Sequence, residues 1–258
     1  MKNKVLDRLR NFRGEVGFYY KNLQTNEIIE YNEEKSMLAA SLIKLTVLVE
    51  VFNQIDKGIL KKDDEFITND NDKVPSCGAL NYMHSGLKIT IKDLYTLMII
   101  LSDNYATNIL IDILGIENIN KTIKDINLKK TILNRKMFDE EKSSKGIENY
   151  TSAKDMGILL EKMYSGELIN RNYSKEMIDV LKNQRLNGKI PFFLHSEKEK
   201  IEIAHKTGED NNITHDVGIV FAKEPFIICF TGNDVDVPLY ERLIQDISYE
   251  LYLNQKNK

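Results

Sequence analysis

Strand-like segments occur near the two ends of this 258-residue chain, and helical periodicity fills the sequence between them. Alternating apolar residues predict a hairpin over 16–23 and 27–31, and later apolar segments predict strands over 201–206, 217–222 and 226–231. Strands from both ends can share one sheet only if the intervening chain is inserted into it. The sequence therefore predicts an α+β fold with a five-strand antiparallel sheet.

Helical periodicity accounts for both ends of the chain and for most of its middle. A stripe near the N-terminus predicts a docked helix and is formed by Val5, Leu6, Leu9 and Phe12. A closing helix is predicted from Pro238 to about residue 254, because proline suits the first helical turn. Between them, apolar residues recur at helical spacing over 41–56, 90–101, 105–114, 151–165 and 175–182.

These assignments divide the chain into two lobes of one structural unit. The sheet lobe is discontinuous, consists of residues 1–34 and 195–258, and carries a terminal helix at each of its ends. The inserted lobe, residues 35–194, is predicted to be all-helical. A cleft between two such lobes is a natural place for a functional site.

Three short motifs carry the side chains that acyl transfer through a serine needs. In chain order they are Ser41-Leu42-Ile43-Lys44, Ser102-Asp103-Asn104 and Lys206-Thr207-Gly208. They supply a nucleophile, proton-transfer groups and an anion clamp. Each motif alone is more often a helix cap or the end of a strand. The three in this order, each at an element boundary, indicate a serine hydrolase.

The first motif supplies the candidate nucleophile and its base. Ser41 and Lys44 are three residues apart, so a helix places them on one face. We expect Ser41 to begin the helix, where its backbone N–H and the helix dipole favour an oxyanion. Desolvation lowers the pKa of a lysine, so Lys44 is a candidate base. The alternative is a capping serine with a surface lysine; Ser85-Gly86-Leu87-Lys88 matches the pattern too, but heads no apolar helix.

The second motif lies between two predicted helices. There the Ser102 hydroxyl can pass a proton to a leaving nitrogen, and the Asn104 amide can hold a substrate carbonyl. The alternative is a helix stop followed by the cap of the next helix.

The third motif ends a predicted strand. Lys206 and Thr207 together suit a substrate carboxylate, and Gly208 lets a substrate approach the strand edge. The backbone N–H of Glu209 is predicted to face that of Ser41, which gives a two-donor oxyanion hole. The alternative is a strand that ends in a turn.

The remaining features favour a small-molecule substrate. A net charge of −3 gives no case for nucleic acid, and no apolar stretch reaches the ~18 residues of a membrane span. The histidines show no metal-ligand spacing, so neither a metal nor another cofactor is expected, although His215 is a candidate substrate contact. The charged N-terminus has no apolar run behind it, which predicts a cytoplasmic protein, or a secreted one if a leader was trimmed. We also expect a monomer.

On these motifs the chain resembles the penicillin-interacting serine hydrolases, and most of all the class A β-lactamases. Ser41 lies 61 residues before Ser102, which lies 104 before Lys206, as is typical of that family. Further matches are Leu97-Met98, Ala106-Thr107-Asn108 and Thr151-Ser152-Ala153-Lys154-Asp155-Met156. The resemblance implies the two-lobe β-lactamase/transpeptidase-like fold and acylation of Ser41 by a β-lactam. It also implies Lys44 as base, Ser102 as proton shuttle, and substrate contacts at Asn104, Lys206 and Thr207.

The sequence departs from that family in the segment that normally activates water. Class A enzymes carry Arg-x-Glu-x-x-Leu-Asn there, whereas Met137 follows Arg135 at the glutamate position of this chain. Methionine cannot take a proton from water, so we expect slow deacylation. Asp139 is the nearest candidate for water activation, ahead of its neighbour Glu140. Asn149 replaces the aspartate that normally pairs with the arginine, which predicts a looser loop.

Two other functions remain open at this stage. One scaffold hosts several activities, so the chain could be a D-amino-acid peptidase, amidase or esterase of the same superfold. It could also be a non-catalytic sensor that binds β-lactams without turnover.

Overall fold

The computed structural model describes residues 1–75 and 77–256. The α-helices of these residues are α1 Lys2–Arg10, α2 Lys44–Asp56, α3 Ile91–Ile100, α4 Asn104–Leu114, α5 Ile116–Asp125, α6 Glu140–Ser144, α7 Ala153–Ser165, α8 Arg171–Lys182, α9 Pro191–Leu194 and α10 Val237–Lys256. Short 3₁₀ turns occur at Ala40–Ile43, Asp70–Asp72 and Leu80–Tyr82. The strands are β1 Glu15–Asn22, β2 Ile28–Tyr31, β3 Met37–Leu38, β4 Glu65–Ile67, β5 Lys88–Thr90, β6 Tyr150–Thr151, β7 Glu202–Asp210, β8 Ile213–Phe221 and β9 Phe226–Asn233.

The main sheet is built from both ends of the chain, as the sequence predicts. Its strand order is β2-β1-β9-β8-β7, and every neighbouring pair is antiparallel. The first strand reaches the last through the pair Tyr19 and Cys229, and Cys229 in turn pairs with Val217. Strand β7, which carries Lys206, lies at one edge of this sheet. The predicted α+β fold with a five-strand antiparallel sheet is confirmed.

The sheet is covered on both faces because its strands alternate apolar residues. Phe226, Ile228 and Phe230 pack in one buried cluster with Val5 of α1 and Ile247 of α10. On the opposite face, residues such as Ile227 and Cys229 join the cluster formed by the inserted helices. The terminal helices therefore flank the sheet as expected. Since the second cluster runs continuously from sheet to helices, the division into two lobes stays a prediction. The inserted residues are not all-helical, because β3 pairs with β6 and β4 pairs with β5 within them, which corrects that part of the prediction.

Helix α2 is the central element of the inserted segment and carries buried residues on all sides. It contacts α3, α4, α5 and α8, so it runs through the middle of the helical core. The break between α3 and α4 leaves Ser102 and Asp103 between two helices, as the sequence predicts. Within residues 1–75 and 77–256, no helix has both the length and the apolar character that crossing a membrane requires.

Gly157 allows α7 to pack closely against β1. A Cβ built at this position would overlap the ring of Tyr19. We expect Gly157→Ala to lower the free energy of unfolding by about 1–3 kcal/mol, because overpacking forces the helix away from the sheet. Urea denaturation measures this change. Gly188→Ala is the matched control, since a Cβ there meets nothing within 4 Å. Equal stability of the two variants would contradict the prediction.

Candidate active site

A cleft of about 520 Å³ lies where the turn that carries Ser41 meets the end of β7 and the loop over 134–149. Its lining includes Ser41, Asn104, Met137, Asp139 and Glu209. The remaining predicted side chains, Lys44, Ser102, Lys206 and Thr207, are buried beside it. The structure thus brings residues from all three motifs to one region of the fold.

Ser41 does not begin an α-helix, which corrects the expectation from the sequence. It lies in the 3₁₀ turn Ala40–Ile43, and α2 begins only at Lys44. Directly before the serine, the backbone of Ala40 has a φ of +41°, which lies outside helical geometry. A non-glycine residue in the left-handed region costs about 1–2 kcal/mol, so surrounding contacts must hold it there.

Those contacts come from both sides of the turn. Ala39 donates its backbone N–H to Asn149 O at 2.8 Å. On the other side, a Cβ at Gly208 would lie 2.9 Å from His215 Cδ2, 3.3 Å from Leu42 Cγ and 3.4 Å from Ala39 O. Only glycine leaves room for the turn to lie this close to β7. Gly208 therefore has a structural role that the sequence alone did not indicate.

His215 is not positioned to contact a substrate, so that prediction is wrong. Its side chain is fully buried, and its Nε2 donates to Leu38 O at 2.9 Å. Its Nδ1 accepts the backbone N–H of Gly232 at 3.0 Å. Burial lowers the pKa of His215 to about 4, which keeps the ring neutral and suits one donor and one acceptor. The residue joins β3 to the main sheet.

Lys44 is fully buried and points at the second motif. Its Nζ lies 2.6 Å from Ser102 O, 3.1 Å from Ser102 Oγ and 2.7 Å from Asn104 Oδ1. Burial, reinforced by the charge of Lys206, holds the pKa of Lys44 well below its ordinary value. The lowered pKa expected from the sequence is confirmed.

Lys206 reaches the same hydroxyl from the sheet side. Its Nζ lies 3.0 Å from Ser102 Oγ and 2.7 Å from Thr207 O. Burial, followed by the charge of Lys189, lowers the pKa of Lys206 to about 7. Two lysine nitrogens therefore contact one hydroxyl oxygen, whose own proton remains available to a third group. This arrangement can transfer protons between the two lysines and the cleft.

Asp103 fixes the position of the second motif. Its carboxylate accepts the backbone N–H of Ala106 at 3.0 Å and thereby caps α4. The other oxygen accepts the N–H groups of Ala79 and Leu80, both at 2.8 Å. The cap alternative is therefore correct for Asp103, while its two neighbours contact Lys44. The sequence signal was an aspartate directly before a helical segment.

Arg135 keeps an acidic partner within the loop over 134–149, so the premise of the predicted looser loop, the loss of this ion pair, is wrong. Glu148 takes the place of the missing aspartate: its Oε2 lies 2.7 Å from Arg135 Nε and 2.6 Å from Nη2. Asn149 also contributes, because its Oδ1 accepts the backbone N–H groups of Asn134 and Arg135 at 2.7 and 3.0 Å. A carboxylate directly before Asn149 was the signal that could have identified this pair.

Asn108 holds the segment that lacks the glutamate. It donates to Met137 O at 2.9 Å and accepts the Met137 N–H at 2.8 Å. The methionine is largely buried and lines the cleft. Asp139 lines it too, but its carboxylate caps α6 by accepting the N–H of Lys142 at 3.1 Å. Water activation by Asp139 stays a prediction, as does the oxyanion hole formed by Ser41 and Glu209.

The comparisons with known proteins agree with this geometry. The family model described as "Beta-lactamase enzyme family" matches residues 1–255. Beta-lactamase VEB-1 of Pseudomonas aeruginosa is 23% identical, over 98% of this chain and 90% of that protein. The solved beta-lactamase of Sphaerobacter thermophilus DSM 20745 is 27% identical with a TM-score of 0.87, covering 96% of this chain and 94% of that one.

A second kind of solved structure has the same fold. PBP-A is 23% identical with a TM-score of 0.89, covering all of this chain and 96% of that one. At this identity the likeness concerns the fold alone. The family model, by contrast, spans nearly the whole sequence and confirms the resemblance inferred from the three motifs. We conclude that this chain belongs to the beta-lactamase enzyme family and is a serine hydrolase of the β-lactamase kind.

Proposed function

We propose that this hydrolase opens β-lactam rings through an acyl-enzyme at Ser41 and releases the acyl group slowly. The observation that carries the proposal is the Ser102 hydroxyl, which lies 3.1 Å from Lys44 Nζ and 3.0 Å from Lys206 Nζ beside the cleft that Ser41 lines. A site that must move a proton from a nucleophile to a leaving nitrogen needs such a connection.

The acylation step uses the neutral form of Lys44. Its amine takes the proton of Ser41 Oγ while that oxygen attacks the lactam carbonyl carbon. The carbonyl oxygen gains negative charge, which the backbone N–H groups of Ser41 and Glu209 stabilise. As the C–N bond breaks, Ser102 gives its proton to the lactam nitrogen and regains one from Lys44. The products are an ester at Ser41 and a free ring amine, and no proton is gained or lost overall.

The release step has no carboxylate at the position where the resembled enzymes carry their base. Hydrolysis of the ester needs a group that takes a proton from water beside Ser41, and Met137 stands where a carboxylate serves in the resembled enzymes. The nearby Asp139 already accepts a backbone N–H of its own helix. We therefore expect acylation to be much faster than deacylation.

The pH dependence of acylation follows from Lys206. Its pKa of about 7 means that it is cationic below that pH and neutral above it. A cation attracts the substrate carboxylate, so the second-order acylation rate constant for an anionic β-lactam should fall as pH rises through about 7. The measurement is that rate constant across this range. In Lys206→Arg, whose guanidinium stays charged, this alkaline fall should disappear; its persistence would contradict the assignment.

Intact mass measurement with a chromogenic cephalosporin tests the proposed function. We expect rapid addition of one acyl group to Ser41, a burst of colour equal to the enzyme concentration, and then slow turnover. Immediate full turnover without an accumulated adduct would contradict slow release. No adduct and no turnover would remove β-lactams from the function.

A D-amino-acid peptidase is the second candidate. Without a carboxylate at the position of Met137, release of a penicillin acyl group is expected to be slow, so a penicillin need not be the substrate on which the protein acts fastest. A peptide that ends in two D-alanines offers the same pairing of amide and carboxylate to the cleft. Faster reaction with that peptide than with a penicillin would favour this candidate. A sensor, the third possibility, would form an adduct that lasts far longer than one cell generation and would bind a partner in that state.

A further inference from the structure

Two acidic residues, whose side chains the proposed reaction leaves unused, line the cleft next to the anion clamp. Glu209 and Asp210 directly follow Lys206-Thr207-Gly208 on β7, the edge strand of the main sheet. Both line the cleft. The side chain of Glu209 is 52% exposed, and Asp210 is exposed. A ligand that enters the cleft therefore meets two carboxylates close to the lysine that would bind its own carboxylate.

A buried lysine holds the first of these carboxylates in place. Lys189, only 3% exposed, places its Nζ 2.5 Å from Glu209 Oε1 and 3.6 Å from Glu241 Oε1. Burial alone raises the pKa of Glu209, but the charges of Lys189 and Lys206 outweigh it, so the net shift is downward. Glu209 therefore stays ionised at neutral pH. One lysine between two carboxylates leaves this group of three with one excess negative charge.

The cleft thus presents opposite charges in succession along one strand. A strand rises about 3.3 Å per residue, so the Cα atoms of Glu209 and Thr207 are about 7 Å apart, and the two side chains extend from the same face of the strand. A substrate with only a carboxylate experiences attraction from Lys206 and repulsion from the acidic pair. A substrate that also carries a cation at this distance experiences attraction from both.

We propose that Glu209 and Asp210 select zwitterionic substrates, an inference that rests on the proposed function. In these substrates an ammonium or pyridinium group lies within about 7 Å of the carboxylate bound by Lys206 and Thr207. Glu209 is the main determinant because Lys189 and the strand fix its position, whereas the more exposed Asp210 adds a weaker contribution.

Two cephalosporins that share one acyl side chain provide the test. One carries a neutral acetoxymethyl group beside the ring carboxylate, and the other carries a cationic pyridiniomethyl group there. The measured quantity is the ratio of their second-order acylation rate constants, cationic over neutral. The intrinsic reactivities of the two compounds differ, but that difference is the same for every variant. Only the change of the ratio between variants is therefore interpreted.

We expect Glu209→Gln to lower this ratio by about fivefold, the upper range for a solvent-accessible ion pair, and Asp210→Asn to lower it less. Any general loss of rate in these variants cancels in the ratio. Glu241→Gln is the matched comparison: it removes the same unit of charge from Lys189, but from α10 rather than from the cleft wall, so it should lower the ratio less than Glu209→Gln does. Added salt should reduce the wild-type ratio as well, since screening weakens exposed charge interactions.

The outcomes separate this inference from the function on which it rests. Adducts with both compounds and an unchanged ratio in Glu209→Gln and Asp210→Asn would overturn the charge selection while leaving acylation at Ser41 intact. An equal fall in Glu241→Gln would also overturn it, because the effect would not come from the cleft wall. If the wild-type protein formed no adduct with either compound, the proposed function itself would fail.

Discussion

A Ser41→Ala variant is expected to form no covalent adduct with any β-lactam, because removing a catalytic serine slows the bond-making step by about a millionfold. The physical reason is that Lys44 and Ser102 only transfer protons in the proposed reaction, and neither supplies the oxygen that becomes the ester. The measurement combines intact mass with the loss of cephalosporin absorbance. Unchanged folding is checked by thermal unfolding.

The chain contains a matched control for this substitution. Ser85 also begins a Ser-x-x-Lys sequence, but it is exposed and lies in the loop before β5. Ser85→Ala should label at the wild-type rate. A labelled Ser41→Ala protein, or an adduct mapped by peptide mass to another residue, would show that the nucleophile is wrongly assigned.

Met137→Glu is expected to increase the rate of deacylation by about 10²- to 10⁴-fold, the range for general-base catalysis. The backbone at this position is held through both its N–H and its carbonyl by Asn108, so a new side chain starts from a fixed place in the cleft lining. A carboxylate there can take the proton that methionine cannot. Decay of the isolated adduct, followed by mass, gives the rate.

Met137→Gln separates basicity from shape. Glutamine has the size of glutamate but is not a base, so its adduct should persist as long as that of the wild-type protein. Equal acceleration in both variants would point to water access rather than proton transfer. No acceleration in either would mean that residue 137 does not face the acyl group.

The sequence was sufficient for the main sheet and for most of the long helices, because its local patterns agreed with one another there. Alternation in the terminal segments and helical spacing in the middle correspond to the observed sheet and helices. Local chemistry was also informative where it is independent of the rest of the fold. For example, Thr90 and Asp93, which are three residues apart, form a capping box at the start of α3.

The sequence was less informative where distant segments determine the conformation. The positive φ of Ala40 results from packing against β7 and the loop that contains Asn149, and nothing in the local sequence demands it. Arg135 pairs with Glu148, one residue before position 149, where its acidic partner was expected. His215 has the chemistry of a site residue, yet the sheet buries it completely. In each case tertiary contacts, rather than residue type, decided the outcome.

The contact of two lysines with the Ser102 hydroxyl has a consequence for how the site becomes ready to react. Their charges repel each other across that hydroxyl, so a proton on one makes a proton on the other less favourable. In the proposed reaction, an arriving carboxylate would stabilise the charge on Lys206 and thereby favour the unprotonated form of Lys44. Binding of the anionic ligand would then increase the fraction of Lys44 in the neutral form, which is the form proposed to take the proton of Ser41. In the empty cleft that fraction would be smaller.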